Sequence, residues 1–420
     1  MYMKQIFPRQ ISDQIVTVPG SKSISHRMLI CAALSGGTSC ITNLLSSRDI
    51  DLTLHALSCM GADITKTGPD SVSITGFSGC PRPCDVPVFL ENSGTSMRLM
   101  AGIAGLGTTP YTLTGNARMC NRPMKELLDA LGQIGIDAGS DNPEGFPPVT
   151  IQGKSRQGGM LHLDCSKSSQ YLSALLMIGP FMADGLTIKL TAPPVSSPYI
   201  DLTLDVMKQF QVNAHKLNDT TYEVPGNQTY VAGNHGVEPD LSNAGYFWAA
   251  GAVTGQKIGV GNIRSSSLQG DVKQVHILEK MGCSLFFKGD SVAVKGGSLR
   301  AVDVDMSDTP DAVPAIAVVA AFAGGTTSIT NIGHLREKEC DRIHAVASQL
   351  EKMGIRVSQG DDRLAITGGK PAGAFINTFN DHRIAMAFAV AGLVVPGMEI
   401  ENPACVEKSF PHFWNLFDAL

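Results

Sequence analysis

Apolar residues recur every three or four positions in Ile343, Val346, Ala347, Leu350 and Met353, a spacing that gathers them on one face of a helix. Gly354 follows at once, the residue type that closes helices in a left-handed turn. An alternating segment then runs to Ile366-Thr367-Gly368-Gly369, as a half-buried strand would. The same phrase appears in Leu57-Ser58-Cys59-Met60-Gly61, Leu131-Gly132-Gln133-Ile134-Gly135, Val206-Met207-Lys208-Gln209-Phe210 and Leu278-Glu279-Lys280-Met281-Gly282. Two further copies close in the same way, in Ser73-Ile74-Thr75-Gly76 and Val294-Lys295-Gly296-Gly297. The period is roughly 72 residues, so the 420 residues hold nearly six units, and the sixth has to be assembled from the chain ends.

A helix-and-strand unit of this size cannot bury its own apolar face, so several must pack helices against sheets. The chain is also too long for one core, which predicts an α/β (α+β) protein of two lobes with three units each. A cleft between lobes is then the expected site. Hydrophobic residues make up 43% of the chain, charged residues 17%, and 44 glycines supply its turns, a balance suited to a large packed core. The longest apolar run, Ala312 to Ala323, is too short for a bilayer and contains Pro314. The start, Met1-Tyr2-Met3-Lys4-Gln5, lacks the apolar core of a secretory signal, so a cytoplasmic location is expected. Ten scattered cysteines, the nearest pair being Cys80 and Cys84 around Pro-Arg-Pro, read as core residues rather than metal ligands. The net charge is −5 without a basic run, which disfavours a nucleic-acid partner.

An anionic ligand must therefore meet cations concentrated locally, and several clusters do this. Pro19-Gly20-Ser21-Lys22-Ser23-Ile24-Ser25-His26-Arg27 turns into an apolar helix, with Ser23 and Arg27 one turn apart. Open backbone N–H groups, hydroxyls and two cations at a helix start suit an anion; a capped helix with solvated charges uses the same residues. Asn92-Ser93-Gly94-Thr95-Ser96-Met97-Arg98 repeats the arrangement, with Gly94 allowing close approach to the backbone. Arg118-Met119-Cys120-Asn121-Arg122-Pro123 and Ser166-Lys167-Ser168-Ser169-Gln170-Tyr171 fall at other unit boundaries. In the second half, Arg336-Glu337-Lys338-Glu339-Cys340-Asp341-Arg342 is expected to open a long amphipathic helix, which a salt-bridged surface explains equally well. Asn380-Asp381-His382-Arg383 precedes the apolar stretch Ile384 to Val390, with Asp381 a natural N-cap, and Lys408-Ser409-Phe410-Pro411 lies near the end.

Taken in order, Pro19-Gly20-Ser21-Lys22-Ser23, Asn92-Ser93-Gly94-Thr95, Ser168-Ser169-Gln170, Pro310-Asp311-Ala312, Lys338-Glu339-Cys340-Asp341-Arg342 and Asn380-Asp381-His382-Arg383 resemble the 5-enolpyruvylshikimate-3-phosphate (EPSP) synthase family over nearly the whole chain. The resemblance implies the enolpyruvyl-transferase fold, an inverse α/β barrel of six βαβαββ units. It also implies a discontinuous lobe, residues 1–21 plus 235–420, and an inserted lobe, 22–234. The implied reaction transfers the enolpyruvyl group of phosphoenolpyruvate to the 5-hydroxyl of shikimate-3-phosphate and releases phosphate, on the route to chorismate and the aromatic amino acids.

By motif, the resemblance assigns Ser23, Arg27, Ser168, Ser169, Gln170, Ser196, Tyr199, Asp311 and Lys338 to shikimate-3-phosphate. It assigns Lys22, Gly94, Arg122, Gln170, Arg342, Arg383 and Lys408 to phosphoenolpyruvate. Asp311 would be the base for the attacking hydroxyl, and Glu339, aided by Lys22, the acid for the methylene carbon. No cofactor or metal is implied, and the partners expected are two small anions acting on a monomer, with no membrane. Lobe closure around both substrates is expected.

Three positions depart from the commonest pattern: His334 stands where an Asn often meets the shikimate ring, Leu99 where a Pro is frequent, and Glu91 where a Gly is usual. With Gly94 kept, sensitivity to glyphosate is expected. The related enolpyruvyl transferase acting on UDP-N-acetylglucosamine carries a Lys-Asn pair near its start and a loop cysteine. Here Ser23 follows Lys22, and Ala117 falls where that cysteine would be. A catalytically dead anion-binding relative would lack the two carboxyls, and both are present.

Overall fold

The computed structural model describes residues 3–264 and 266–420. The chain divides into two compact units, Lys22–Val237 and Met1–Ser21 with Glu238–Leu420. Among the described residues each unit holds three small sheets.

One repeat shows the plan. Strand Val88–Phe89 lies parallel to Tyr111–Thr114, which pairs antiparallel with Val149–Gly153, itself flanked antiparallel by Ile136–Ser140. The two parallel strands are joined by a helix, and a second helix leads to the hairpin, giving β-α-β-α-β-β. The same order of one parallel and two antiparallel pairings occurs in five four-stranded sheets. In the sixth, three-stranded sheet, Met3–Ile6 pairs with Met398–Glu401, so the N-terminal strand completes the C-terminal repeat. Two other repeats are also composite: Gln14–Val16 runs beside Lys257–Val260, and Asn234–Gly236 beside Thr38–Thr42.

The first unit contains helices α1 (Lys22–Leu34), α2 (Arg48–Cys59), α3 (Gly94–Ala104), α4 (Lys125–Gln133), α5 (Gln170–Ile178) and α6 (Pro198–Gln209). The other contains α7 (Leu241–Thr254), α8 (Lys273–Lys280), α9 (Val313–Ala320), α10 (Arg342–Lys352), α11 (His382–Ala391) and α12 (Phe413–Asp418). Members alternate in character. In α1, α3 and α5, and in α7, α9 and α11, nearly every residue is buried, whereas α2, α4, α8 and α10 bury one face. An all-round apolar helix has to be enclosed on every side, and in each unit sheets and amphipathic helices do so. Pro314 does not interrupt the apolar run; it lies in the first turn of α9, where its missing N–H costs no helical bond. The segment Arg336–Asp341 departs from the sequence expectation: Gly333–Glu337 is a 3-10 turn, and α10 begins only at Arg342 because Asp341 caps it, accepting from His344 N at 3.0 Å.

The turn closing each repeated helix is left-handed: Gly61, Gly135, Gly282 and Gly354 have φ of 101°, 82°, 102° and 76°, and Gln211 takes the equivalent place at 63°. A side chain in that region costs about 1 kcal/mol or more. A Cβ at Gly354 would meet open space, whereas one at Gly282 would stand 2.6 Å from the Ser298 carbonyl. Urea unfolding should therefore rank the variants: Gly354→Ala loses about 1 kcal/mol, Gly282→Ala roughly 2–3 kcal/mol, and Gln211→Gly gains up to about 1 kcal/mol.

Candidate active site

The polar residues singled out in the sequence gather at the N-terminal ends of the buried helices. In the Lys22–Val237 unit, α1 begins at Lys22, α3 at Gly94 and α5 at Gln170. Gln170 ties two of these starts together: its Nε2 donates to Thr95 Oγ1 at 3.0 Å and its Oε1 accepts from Arg98 Nη1 at 2.9 Å. The positive dipole ends of three helices favour negative charge there.

Arg27 lies one turn inside α1 and is 1% exposed. Its guanidinium donates to Thr203 Oγ1 (2.7 Å), Ser173 Oγ (3.1 Å), the Ser23 carbonyl (2.9 Å) and the Tyr199 carbonyl (3.0 Å). These partners are neutral, so burial pulls its pKa down to about 10, and it stays charged near neutral pH. A buried cation held by neutral acceptors retains its attraction for an anion. Lys22 Nζ is 3.4 Å from Asp49 Oδ2 on α2. Arg122 is buried, and its Nη1 reaches the carbonyl and side-chain oxygens of Asn92 at 3.3 Å. Gly94 faces that guanidinium so closely that a Cβ would lie 2.5 Å from Nη2. Ser168 and Ser169 are buried at the start of α5. Ser196, with φ of 55°, buries a hydroxyl that makes no hydrogen bond within the protein, an available donor for a ligand.

The departing positions have local explanations. Glu91 adopts φ of 46°, and Arg48 Nε binds its carboxylate at 3.0 Å, an exposed pair that offsets little of the backbone cost. Leu99 is fully buried in α3.

The Glu238–Leu420 unit carries a charge network centred on Arg342, which is 1% exposed. Arg342 meets Asp311 at 2.9 Å, Glu339 at 2.7 Å and Asp381 at 2.8 Å. Burial works against its charge, but Asp381, Glu339 and Asp311 outweigh it and hold the guanidinium above the usual arginine range. Asp381 therefore does more than the N-cap expected of it: it accepts from Arg383 N and also anchors Arg342. Arg383 donates to Asp311 Oδ2 at 2.6 Å and to Tyr246 Oη at 3.2 Å. Lys408 approaches Glu339 at 4.0 Å. Lys338 and Glu339 precede α10 rather than riding on it. Asp311 is the most exposed of the three carboxyls, with 18% of its side chain open.

Sequence reasoning missed Asp49, Tyr246, Thr203 and Ser173. Asp49 left a faint signal as an acid in the first turn of α2; the others sit inside helices, where nothing separates them from core residues.

The sequence profile described as EPSP synthase (3-phosphoshikimate 1-carboxyvinyltransferase) matches residues 8–417. The 3-phosphoshikimate 1-carboxyvinyltransferase of Shewanella amazonensis is 41% identical over 407 residues, covering 96% of this chain and 95% of its own. That of Aliivibrio fischeri strain MJ11 is 42% identical over 410 residues, covering 96% of each. Among solved structures, an EPSP synthase from Acinetobacter baumannii superposes with a TM-score of 0.83 at 28% identity, over 99% of this chain and 97% of that one. The fold is thus that of an enolpyruvyl transferase. The chain belongs to the EPSP synthase family.

His334 is 7% exposed, and its Nε2 is buried without a hydrogen-bond partner. Burial, followed by the charge of Lys338, lowers its pKa to about 3. The folded pKa lies below the unfolded value near 6.5, so protonation favours unfolding and stability should fall as pH drops from about 6.5 towards 3. Melting temperatures measured from pH 7 to pH 4 should decline less steeply in His334→Asn than in the native protein.

Proposed function

We propose that this enzyme transfers the enolpyruvyl group of phosphoenolpyruvate to the 5-hydroxyl of shikimate-3-phosphate, with Asp311 as the base. The observation that carries the role of Asp311 is its geometry: two arginines hold its oxygens at 2.9 and 2.6 Å, while it remains the most open carboxyl of the network. Such pairing keeps a carboxylate ionised and ready to accept a proton.

In this reading a proton adds to the methylene carbon of phosphoenolpyruvate, leaving positive charge at C2. The 5-hydroxyl oxygen bonds to C2 and gives its proton to Asp311. The tetrahedral adduct then loses phosphate and a methyl proton, restoring the double bond. Glu339, with Lys22, supplies and recovers the carbon-bound proton. Ser23, Arg27, Ser168, Ser169, Ser196, Tyr199 and Lys338 bind shikimate-3-phosphate. Lys22, Gly94, Arg122, Arg342, Arg383 and Lys408 bind phosphoenolpyruvate, and Gln170 serves both. Arginine suits these anions because its planar fork meets two oxygens at once. Among the described residues no helix is long and apolar enough to cross a membrane. We take the protein to work in the cytoplasm as a monomer, which its elution from a calibrated sizing column would check.

Phosphate release from phosphoenolpyruvate should require shikimate-3-phosphate and be indifferent to a chelator. Release that required UDP-N-acetylglucosamine instead would move the chain to the related transferase. Asp311→Asn should lower kcat by about 100-fold or more, the usual contribution of a general base, without unfolding the protein.

Gly94→Ala should displace the Arg122 guanidinium, since the new methyl would stand 2.5 Å from it. The KM for phosphoenolpyruvate should rise by roughly 10-fold, the equivalent of about 1.4 kcal/mol. Glyphosate, expected to inhibit the native enzyme, should lose potency in the same variant. Full turnover of the native enzyme at high glyphosate would contradict that expectation.

A further inference from the structure

Two of the clusters noted in the sequence hold polar residues that the reaction leaves idle: His26 beside Arg27, and Ser93 and Ser96 on either side of Gly94. All three are fully buried, and so is Thr53 on α2. They form one row of short hydrogen bonds across three helices. His26 Nδ1 lies 2.8 Å from Thr53 Oγ1, Thr53 Oγ1 lies 2.8 Å from Ser96 Oγ, and Ser96 Oγ lies 2.7 Å from Ser93 Oγ. Ser93 stands at the N-cap of α3, yet its hydroxyl makes no cap and turns to Ser96 instead.

The row ends beside two residues assigned to phosphoenolpyruvate. His26 sits one turn past Lys22 on α1, and Ser93 immediately precedes Gly94 at the start of α3. A side branch joins the same two places: the Asp49 carbonyl lies 3.4 Å from both the Thr53 and the Ser96 hydroxyl, and the Asp49 carboxylate meets Lys22 Nζ at 3.4 Å. Polar side chains enclosed this completely must satisfy one another. Each hydroxyl has a single proton, so a member that donates along the row accepts from its other side, and their directions are set together. Hydrophobic packing is non-directional, whereas contacts of 2.7 and 2.8 Å sit near the hydrogen-bond optimum and lose strength on small displacements. A satisfied buried row therefore fixes α1, α2 and α3 against one another more sharply than their apolar contacts do.

We propose that Thr53 is a positioning residue for phosphoenolpyruvate, acting through Ser96 and Ser93 on Gly94 and through His26 and Asp49 on Lys22. This rests on the reading of Lys22 and Gly94 as phosphoenolpyruvate ligands. Arg27, next to His26, is tied separately to Thr203, Ser173 and the Tyr199 carbonyl, so the shikimate-3-phosphate residues keep anchors outside the row.

Thr53→Val, which replaces the hydroxyl by a methyl group at nearly constant volume, tests it in phosphate-release assays with the second substrate saturating. The KM for phosphoenolpyruvate should rise roughly 3- to 10-fold, while that for shikimate-3-phosphate stays within about 2-fold of native. Thr53→Ser, which restores a hydroxyl, should bring the first KM back towards native. Ser96→Ala should raise the same KM, and combining it with Thr53→Val should add little, because both break one row. A merely structural role predicts a lower melting temperature with the two KM values native or moved in step, and either result overturns the proposal. So does a Thr53→Ser enzyme that behaves like Thr53→Val. Should Thr53→Val fail to fold, a native KM in Ser96→Ala overturns it. Gly94→Ala separates the two readings: an unchanged KM there takes Gly94 out of the phosphoenolpyruvate site and the proposal with it, whereas a raised KM there beside native values in Thr53→Val and Ser96→Ala overturns the row alone.

Discussion

A helix that is apolar on every side can carry polar groups only where it begins and ends. That constraint governs α1, α3 and α5 in one unit and α7, α9 and α11 in the other, whose residues are almost wholly buried. Serines, lysines and arginines excluded from their middles collect at their first turns or in the loops ahead of them. There the positive ends of the helix dipoles already favour an anion. The packing that stabilises each unit therefore also prepares it for negatively charged substrates.

The two units handle their cations differently. Arg27 is surrounded by neutral acceptors, none of which supplies a countercharge. Arg342 is already held by three carboxyls, so any anion it meets has to share it with them. Breaking such a buried network from one side typically costs about 3–5 kcal/mol because charges are left uncompensated. The network's value lies in orientation: Asp311 is fixed by Arg342 and Arg383 together without being closed off. Removing either arginine would release Asp311 as well as take away a cation.

Composite repeats explain how a contiguous sequence makes units that are not contiguous. The strand Gln14–Val16 precedes α1 in the chain but completes the sheet beside α7, while Asn234–Gly236 precedes α7 but completes the sheet beside α1. The chain thus exchanges first strands at its two passages between units. The roughly 72-residue period survives this exchange because each helix, hairpin and closing turn stays in sequence order; only the first strand is borrowed.

The sequence by itself determined the period, the helix-closing turns and the six-part plan, because local spacing dictates which residues face a core and where a backbone must turn left-handed. Even Gln211, which breaks the glycine pattern, keeps the turn. Motif order also carried the family and its cation clusters. The sequence misread Arg336–Asp341 as helix, since charge spacing cannot reveal that Asp341 caps α10 and excludes the residues before it. Only the tertiary structure decided which charges are paired. Asp49 with Lys22, Asp381 with Arg342, and Thr203 and Ser173 with Arg27 are contacts between helices far apart in the chain.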